Sequence, residues 1–234
     1  MDRRQSRKQD RGNRRSRRCK KILLIQGVAL CLAAVCLVYL CYRFNVIPHR
    51  QYSNADFGIT AYVSGQDRDE DGVDDQTDIL TGARAYVDTK PRYQSKYYET
   101  GYPDDRYGVC TDVVAQAMLA AGYDLMTLVN EDVLSAPDAY DILDPDINID
   151  FRRVRNLAVY FQRNAIALTT DISDIEAWQG GDIVIFKGHI GIVSDRRNSD
   201  GVPFVIHHAN PLQPGYEEDI LEYWGDIIGH YRVS

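Results

Sequence analysis

The pattern of apolar and polar residues separates a short N-terminal region from the rest of the chain. Residues 22–42 carry no charge and are almost continuously apolar, whereas residues 1–21 are strongly basic. An apolar helix of this length is about 30 Å long, which matches the hydrocarbon thickness of a bilayer. Because basic flanks stay in the cytoplasm, we predict a cytoplasmic tail over 1–21, a single-pass transmembrane signal anchor over 22–42 and an extracytoplasmic remainder. A cleaved signal peptide is the alternative, which the long apolar run disfavours.

The remainder of the chain shows the periodicities of a single α+β domain. Residues 43–65 have no sustained period, and we interpret them as a stalk. Helical spacing of apolar residues and then strand-like runs follow, which predict helices over 78–88, 111–121, 125–134 and 150–163 and strands over 182–186, 189–194, 203–208 and 229–233. Helices first and strands last indicate N-terminal helices packed on an antiparallel sheet.

The charge of the predicted outer part excludes one class of partner. Residues 43–234 contain 16 Lys or Arg against 32 Asp or Glu, a net charge of −16. A surface of this sign repels phosphate backbones, so we exclude nucleic acid as a partner of the outer domain.

Cysteine usage singles out one thiol. Cys110 lies far downstream of the apolar run, whereas the other four cysteines lie within it or just before it, at positions 19, 31, 36 and 41. Cys110 therefore has no partner for a disulfide within the outer part of the chain. An unpaired thiol in an oxidising compartment is explained either by catalysis or by burial as an inert side chain.

Histidines on two predicted strands suggest the catalytic explanation. Cys110 begins an apolar-periodic helix, His189 begins one strand, and His207 and His208 end the next. Side chains alternate along a strand, so only one of the last two can orient His189, and we expect the other to face solvent. Gly191 shares the face of His189 and leaves room for a substrate or for close packing. An imidazolium and a helix N-terminus lower a thiol pKa from about 8.5 to roughly 3.5–7.5, so we expect a Cys–His ion pair.

Several short motifs give this arrangement a family resemblance. The segments GDIVIF at 181–186 and HIGIV at 189–193 resemble the strands of NlpC-type and CHAP-type cell-wall hydrolases. Together with GVCTDVV at 108–114, DFRRV at 150–154 and GHYR at 229–232, the wider pattern resembles a bacterial domain-of-unknown-function family grouped with those enzymes. The chain departs from the usual NlpC signature around the cysteine, where Asp normally precedes and Ser-Gly follows.

The resemblance implies a papain-like, NlpC-type domain over residues 77–234 of a bacterial membrane protein. It implies that Cys110 is the nucleophile, His189 the base and His207 the orienting third residue, with His208 or Asn210 as alternatives for that third role. The implied reaction is hydrolysis of an amide or peptide bond, in peptidoglycan, through a thioester. Acyl transfer and a non-catalytic, calcium-stabilised surface-binding module are the alternatives.

An acidic segment at residues 66–78 matches the spacing of a calcium-binding loop. Gly72 occupies the turn position, and the ligand positions of such a loop are taken by Asp67, Asp69, Asp71, Val73 through its carbonyl, Asp75 and Asp78. So many carboxylates in twelve residues repel one another unless a cation is present. We therefore predict a structural calcium ion before the first helix of the domain, the alternative being a solvated acidic turn.

Overall fold

The structure is a computed structural model that describes the backbone of residues 2–234 and the side chains of residues 17–18 and 20–234. It contains two compact units, the first ending at Pro48 and the second covering His49–Ser234.

The first unit is a single long helix, α1 (Asp2–Arg43). Its segment Lys20–Arg43 is long and apolar enough to cross a membrane, in agreement with the span predicted over 22–42. Most side chains of the tail predicted over 1–21 lie outside the described residues.

In the second unit all the α-helices precede the longer strands, whereas three two-residue strands come earlier in the chain. The helices are α2 (Asp75–Asp88), α3 (Cys110–Ala120), α4 (Leu125–Ser135), α5 (Pro137–Tyr140), α6 (Ile147–Asp150) and α7 (Val154–Asn164), with a 3₁₀ turn at Asn54–Phe57. The strands are β1 (Tyr52–Ser53), β2 (Arg92–Tyr93), β3 (Tyr107–Gly108), β4 (Ile166–Ala167), β5 (Ile183–Phe186), β6 (His189–Arg197), β7 (Pro203–Ile206), β8 (Glu217–Glu218) and β9 (Ile227–Arg232). The helix predicted over 150–163 is interrupted between α6 and α7, and the strands that were not predicted are two residues long, too short to show a period.

The domain is a mixed α/β structure built on an antiparallel sheet. The strand order is β4-β9-β5-β6-β7-β8, with β1 paired to the far end of β6, while β2 and β3 form a separate parallel pair. Lys187 and Gly188 form the tight turn between β5 and β6, and Gly188 has a φ of +83°, which favours glycine.

Alternation along the central strands creates two hydrophobic cores. Ile190 and Ile192 of β6 face a core shared with α2, α3, α4 and α7. Val193 on the same strand faces a second core that contains Trp178 and Phe186. His189 has the parity of Val193, and its ring stacks near Phe186, with 6.1 Å between the ring centroids. The helix face and the histidine face of the sheet are therefore different.

The stalk predicted over 43–65 needs correction, because the compact domain already begins at His49. His49 is buried against Asp219, with 2.9 Å between Nδ1 and Oδ2, and Asn54 accepts a 2.6 Å hydrogen bond from Arg197 Nε. Tyr52 and Ser53 add a strand to β6. The segment is held by individual polar contacts rather than by an apolar stripe, so its sequence shows no period.

Candidate active site

The N-terminus of α3, where Cys110 lies, is held by a buried ion pair. Asp112 accepts a 2.8 Å hydrogen bond from the backbone N–H of Val109, the residue before the helix. The same carboxylate binds Arg152 through two bonds of 2.7 and 2.9 Å, and Arg152 also donates to the carbonyl of Lys96. The Asp112 and Arg152 side chains are 0% and 3% exposed. This pair therefore determines where the helix begins and where it places Cys110.

The Cys110 side chain is partly buried and packs against the helix-side core. Burial raises the pKa of the Cys110 thiol to about 11, while the backbone N–H groups of Ile190 and Thr111 act to lower it. The sulfur thus lies beside the residue that follows His189. The expected ion pair with a depressed thiol pKa is wrong for this structure, because desolvation outweighs those N–H groups.

His207 is the histidine that the fold brings to His189. The distance between His189 Nε2 and His207 Nδ1 is 3.0 Å, and both rings are buried. Nδ1 of His189 makes no hydrogen bond among the described residues, and none there joins an imidazole nitrogen to the Cys110 sulfur. The structure therefore brings the predicted histidine pair together. It places the Cys110 thiol near the backbone of Ile190, with no hydrogen bond from the sulfur to a described imidazole.

Both paired histidines are held neutral by their surroundings. Burial lowers the pKa of His189, and repulsion from the positive charge that His207 and His208 carry when protonated lowers it further. Burial likewise lowers the pKa of His207. Trp224, which is 38% exposed, stacks on His189 with 4.5 Å between the ring centroids and covers the pair.

Gly191 allows β6 and β7 to approach each other beside the histidine pair. A Cβ at this position would lie 2.6 Å from Val205 Cγ1 and 2.9 Å from the carbonyl oxygen of Ile206. The glycine is thus explained by close packing, one of the two roles expected for it.

His208 differs from expectation because it is buried instead of facing solvent. Its ring meets Tyr93 and Tyr216 edge-on, at centroid distances of 5.4 and 5.1 Å, and its Nδ1 has no hydrogen-bond partner in the described part of the chain. These three residues and Tyr107 line a cleft of about 420 Å³. Tyr107 lies in β3, three residues before Cys110, and Cys110 itself is not among the residues that line the cleft.

Glu218 is a contact of the histidine pair that the sequence did not suggest. Its Oε2 lies 3.1 Å from Nε2 of His207, and the residue is 6% exposed. Residues 217–218 form a two-residue edge strand in a polar stretch, where no local pattern distinguishes one glutamate from the other. Glu217, its neighbour, instead binds Arg84 and Arg196.

The acidic loop brings three of the predicted calcium ligands together. One carboxylate oxygen from each of Asp67, Asp69 and Asp71 lies within 4.8 Å of the others, as a shared cation requires. Burial raises the pKa of Asp78 to about 6, the charges of Asp71 and Asp69 add to this, and its Oδ2 is buried without a hydrogen-bond partner in the described chain. The three clustered carboxylates fit a calcium ion, while Asp78 lies outside that group and senses the charges of its members.

Asp75 is placed differently from the other predicted ligands. It is 1% exposed and turned into the domain, where Oδ1 accepts the N–H of Arg68 at 2.8 Å and Oδ2 accepts the hydroxyl of Tyr123. Both carboxylate oxygens of Asp75 are therefore engaged by other protein groups, and Asp75 is not part of the cluster. Val73 remains a predicted carbonyl ligand at the turn.

Comparisons with known proteins agree with the domain-of-unknown-function resemblance. Residues 80–233 match the family described as "Domain of unknown function (DUF1287)". The chain is 36% identical over 167 residues to "Uncharacterized protein YijF" of Escherichia coli (strain K12), which covers 66% of this chain and 80% of that protein. No solved structure matches. Neither match links the chain to NlpC-type or CHAP-type hydrolases, so that relationship stays a prediction. The chain belongs to the DUF1287 family.

Proposed function

We propose that the protein is a membrane-anchored cysteine hydrolase that cleaves an amide or peptide bond outside the cytoplasm, in peptidoglycan. The observation that carries the proposal is the position of Cys110 at the start of α3, with its sulfur beside the backbone of Ile190, the neighbour of His189. His189 in turn is hydrogen-bonded to His207. A thiol, a base and a residue that orients the base are the groups that thioester chemistry needs.

The raised thiol pKa and lowered imidazole pKa mean that the proposed reaction starts from neutral groups. The thiol proton moves to Nδ1 of His189 as the sulfur attacks the amide carbon and the carbonyl oxygen becomes negative. The N–H groups at the start of α3 stabilise this oxyanion. The imidazolium then gives the proton to the leaving amine as the C–N bond breaks, and water hydrolyses the thioester.

The substrate class rests on the resemblance and on the shape of the cleft. NlpC-type and CHAP-type enzymes, which the motifs resemble, act on cell-wall peptides. The cleft next to β3 is lined by Tyr93, Tyr107 and Tyr216 and by polar residues that include Arg92, His208 and Gln213. Aromatic walls combined with several polar side chains are typical of sites that bind a mixed polar and apolar ligand such as a peptide. The proposal also holds that this arrangement of helices and sheet is related to the papain-like fold.

Two further parts complete the proposal. The apolar helix anchors the chain in the bacterial cell membrane with its N-terminus in the cytoplasm, as its basic flank favours. A calcium ion held by Asp67, Asp69 and Asp71 stabilises the entry to α2, since it neutralises carboxylates that otherwise repel one another.

The test is digestion of purified cell-wall material by the full-length protein in detergent, with fragments identified by mass spectrometry. Cys110→Ala should abolish new fragments and leave wall binding intact. Cys36→Ala is the matched control, because it removes a cysteine from the apolar helix and should keep full turnover. Fragments that persist in Cys110→Ala would refute the cysteine mechanism.

A non-catalytic, calcium-stabilised wall-binding module is the second candidate. It is favoured by the thiol pKa of about 11 and by the lack of a hydrogen bond between the Cys110 sulfur and a described imidazole. For this candidate, wild type and Cys110→Ala bind wall fragments equally and neither releases products. The same digestion therefore separates the two functions.

A further inference from the structure

The histidine pair of the candidate active site belongs to a longer chain of buried groups. His189 Nε2 and His207 Nδ1 are 3.0 Å apart, and His207 Nε2 and Glu218 Oε2 are 3.1 Å apart. These two links join the three side chains into a continuous relay, and the side-chain nitrogen of Gln213 also lies 3.3 Å from Nε2 of His207. At one end is a carboxylate, and at the other is Nδ1 of His189, which has no hydrogen-bond partner among the described residues.

We infer that Glu218 is a positioning residue that determines, through His207, which nitrogen of His189 carries the proton. A neutral imidazole has one N–H donor and one acceptor nitrogen, so a hydrogen bond at one end of the ring sets the state of the other. Two imidazoles in series transmit that choice from Glu218 to His189. The catalytic consequence rests on the proposed function, whereas the control of the tautomer does not.

The proton positions follow from the acceptor and donor rules. An ionised Glu218 can only accept, so His207 donates from Nε2, accepts at Nδ1 from His189 Nε2, and leaves Nδ1 of His189 as a free base. When one proton is added, Glu218 donates to Nε2 of His207, His207 donates from Nδ1, and the proton of His189 moves to Nδ1. In the second state His189 cannot accept the thiol proton of Cys110.

The surroundings of Glu218 allow both states near neutral pH. Burial raises the pKa of Glu218 to about 7, while Gln213, the N–H of Gly215 and the charge of His49 act to lower it. Its Oε1 is buried without a hydrogen-bond partner in the described chain, which adds to the cost of ionisation.

The other titratable groups that the structure describes near the relay do not hydrogen-bond to His207. His208 lies beyond His207 and lowers the pKa of both relay histidines. Asp219 is engaged by His49 and by Asn198. The carboxylate that faces His207 is therefore that of Glu218.

The direct test reads the tautomers without any substrate. Full-length protein labelled with ¹⁵N in its five histidines is followed in detergent by long-range ¹H–¹⁵N NMR across the pH range, and the signals of His189 are assigned from those lost in His189→Gln. In wild type the proton of His189 should move from Nε2 to Nδ1 as the pH falls through about 7. Glu218→Gln, which cannot titrate, should abolish this change.

Glu217→Gln is the matched control, since it changes the adjacent glutamate, which binds arginines, and should keep the tautomer change. A transition of His189 that persists in Glu218→Gln, or protonation of both nitrogens of the ring near neutral pH, would overturn the inference.

Turnover gives a second readout once wall fragments are detected. Because the base form needs an ionised Glu218, wild-type kcat/KM at pH 6 should be about tenfold below that at pH 8, and Glu218→Gln should lose this acid limb. A tautomer change without turnover would support the relay and refute the hydrolase. Turnover with the same acid limb in both proteins would refute the relay and leave the hydrolase.

Discussion

The ion pair between Asp112 and Arg152 offers a quantitative test of how the site is held. Replacing Asp112 by Asn keeps the size of the side chain but removes the charge that balances a guanidinium only 3% exposed. The new amide also presents a donor to groups that donate, namely Arg152 and the N–H of Val109. Removing one partner of such a buried pair costs about 3–5 kcal/mol.

Unfolding in urea measures this loss. With an m-value of about 2 kcal/mol/M, the midpoint of the full-length protein in detergent should fall by about 1.5–2.5 M. Fluorescence of Trp178 and Trp224 reports the transition, since both lie in the domain. The double variant Asp112→Asn/Arg152→Met removes both charges and should recover much of the lost stability, because no unpaired cation remains buried.

The exposed ion pair of Asp132 with Arg163 is the matched control. The Arg163 side chain is 39% exposed, so Arg163→Gln should cost under about 1 kcal/mol. A midpoint change below about 0.5 M for Asp112→Asn, or a double variant less stable than the single one, would refute the reasoning.

Two further predictions concern the calcium loop and the β6–β7 contact. A chelator should lower the melting temperature, and added calcium should raise it more at pH 7.5 than at pH 5. Because the pKa of Asp78 is raised, its carboxyl group stabilises the metal-free fold fully below pH 3.8, and this contribution is lost as the pH rises through about 6. The metal-free protein therefore gains more from calcium above that pH. A melting curve unmoved by chelator would contradict the site. Gly191→Ala should cost about 1–3 kcal/mol through its clash with Val205, whereas Gly65→Ala meets no atom within 4 Å and should be nearly neutral in the same urea titration.

Much of the local structure follows from patterns within the chain. The apolar run at 22–42 identifies the helix that could span a membrane, and the start of α3 is predicted to within one residue of Cys110. Alternation along β6 places His189 and Ile190 on opposite faces, as observed. These features depend on neighbours one to four residues away, so local spacing is sufficient to predict them.

Long-range packing explains the features that differ from expectation. Residues 49–65 join the domain through long-range contacts such as that of Asn54 with Arg197. The two partners of this contact are more than a hundred residues apart in the sequence, and such contacts follow no period. Asp75 has the spacing of a calcium ligand, but its carboxylate accepts the hydroxyl of Tyr123 instead. Spacing predicts which residues are available, whereas the packing of distant elements selects their partners.

The candidate site shows the same division. Its proposed nucleophile and its histidines can be predicted from a single thiol downstream of the apolar run and from two histidine-bearing strands, and alternation requires His207 and His208 to point apart. The choice of His207, the addition of Glu218 and the burial that raises the pKa of the Cys110 thiol arise only when β6, β7 and β8 pair and the helices cover the sheet. The exclusion of water from a group depends on every element packed around it, so it cannot be predicted from any short segment of the sequence.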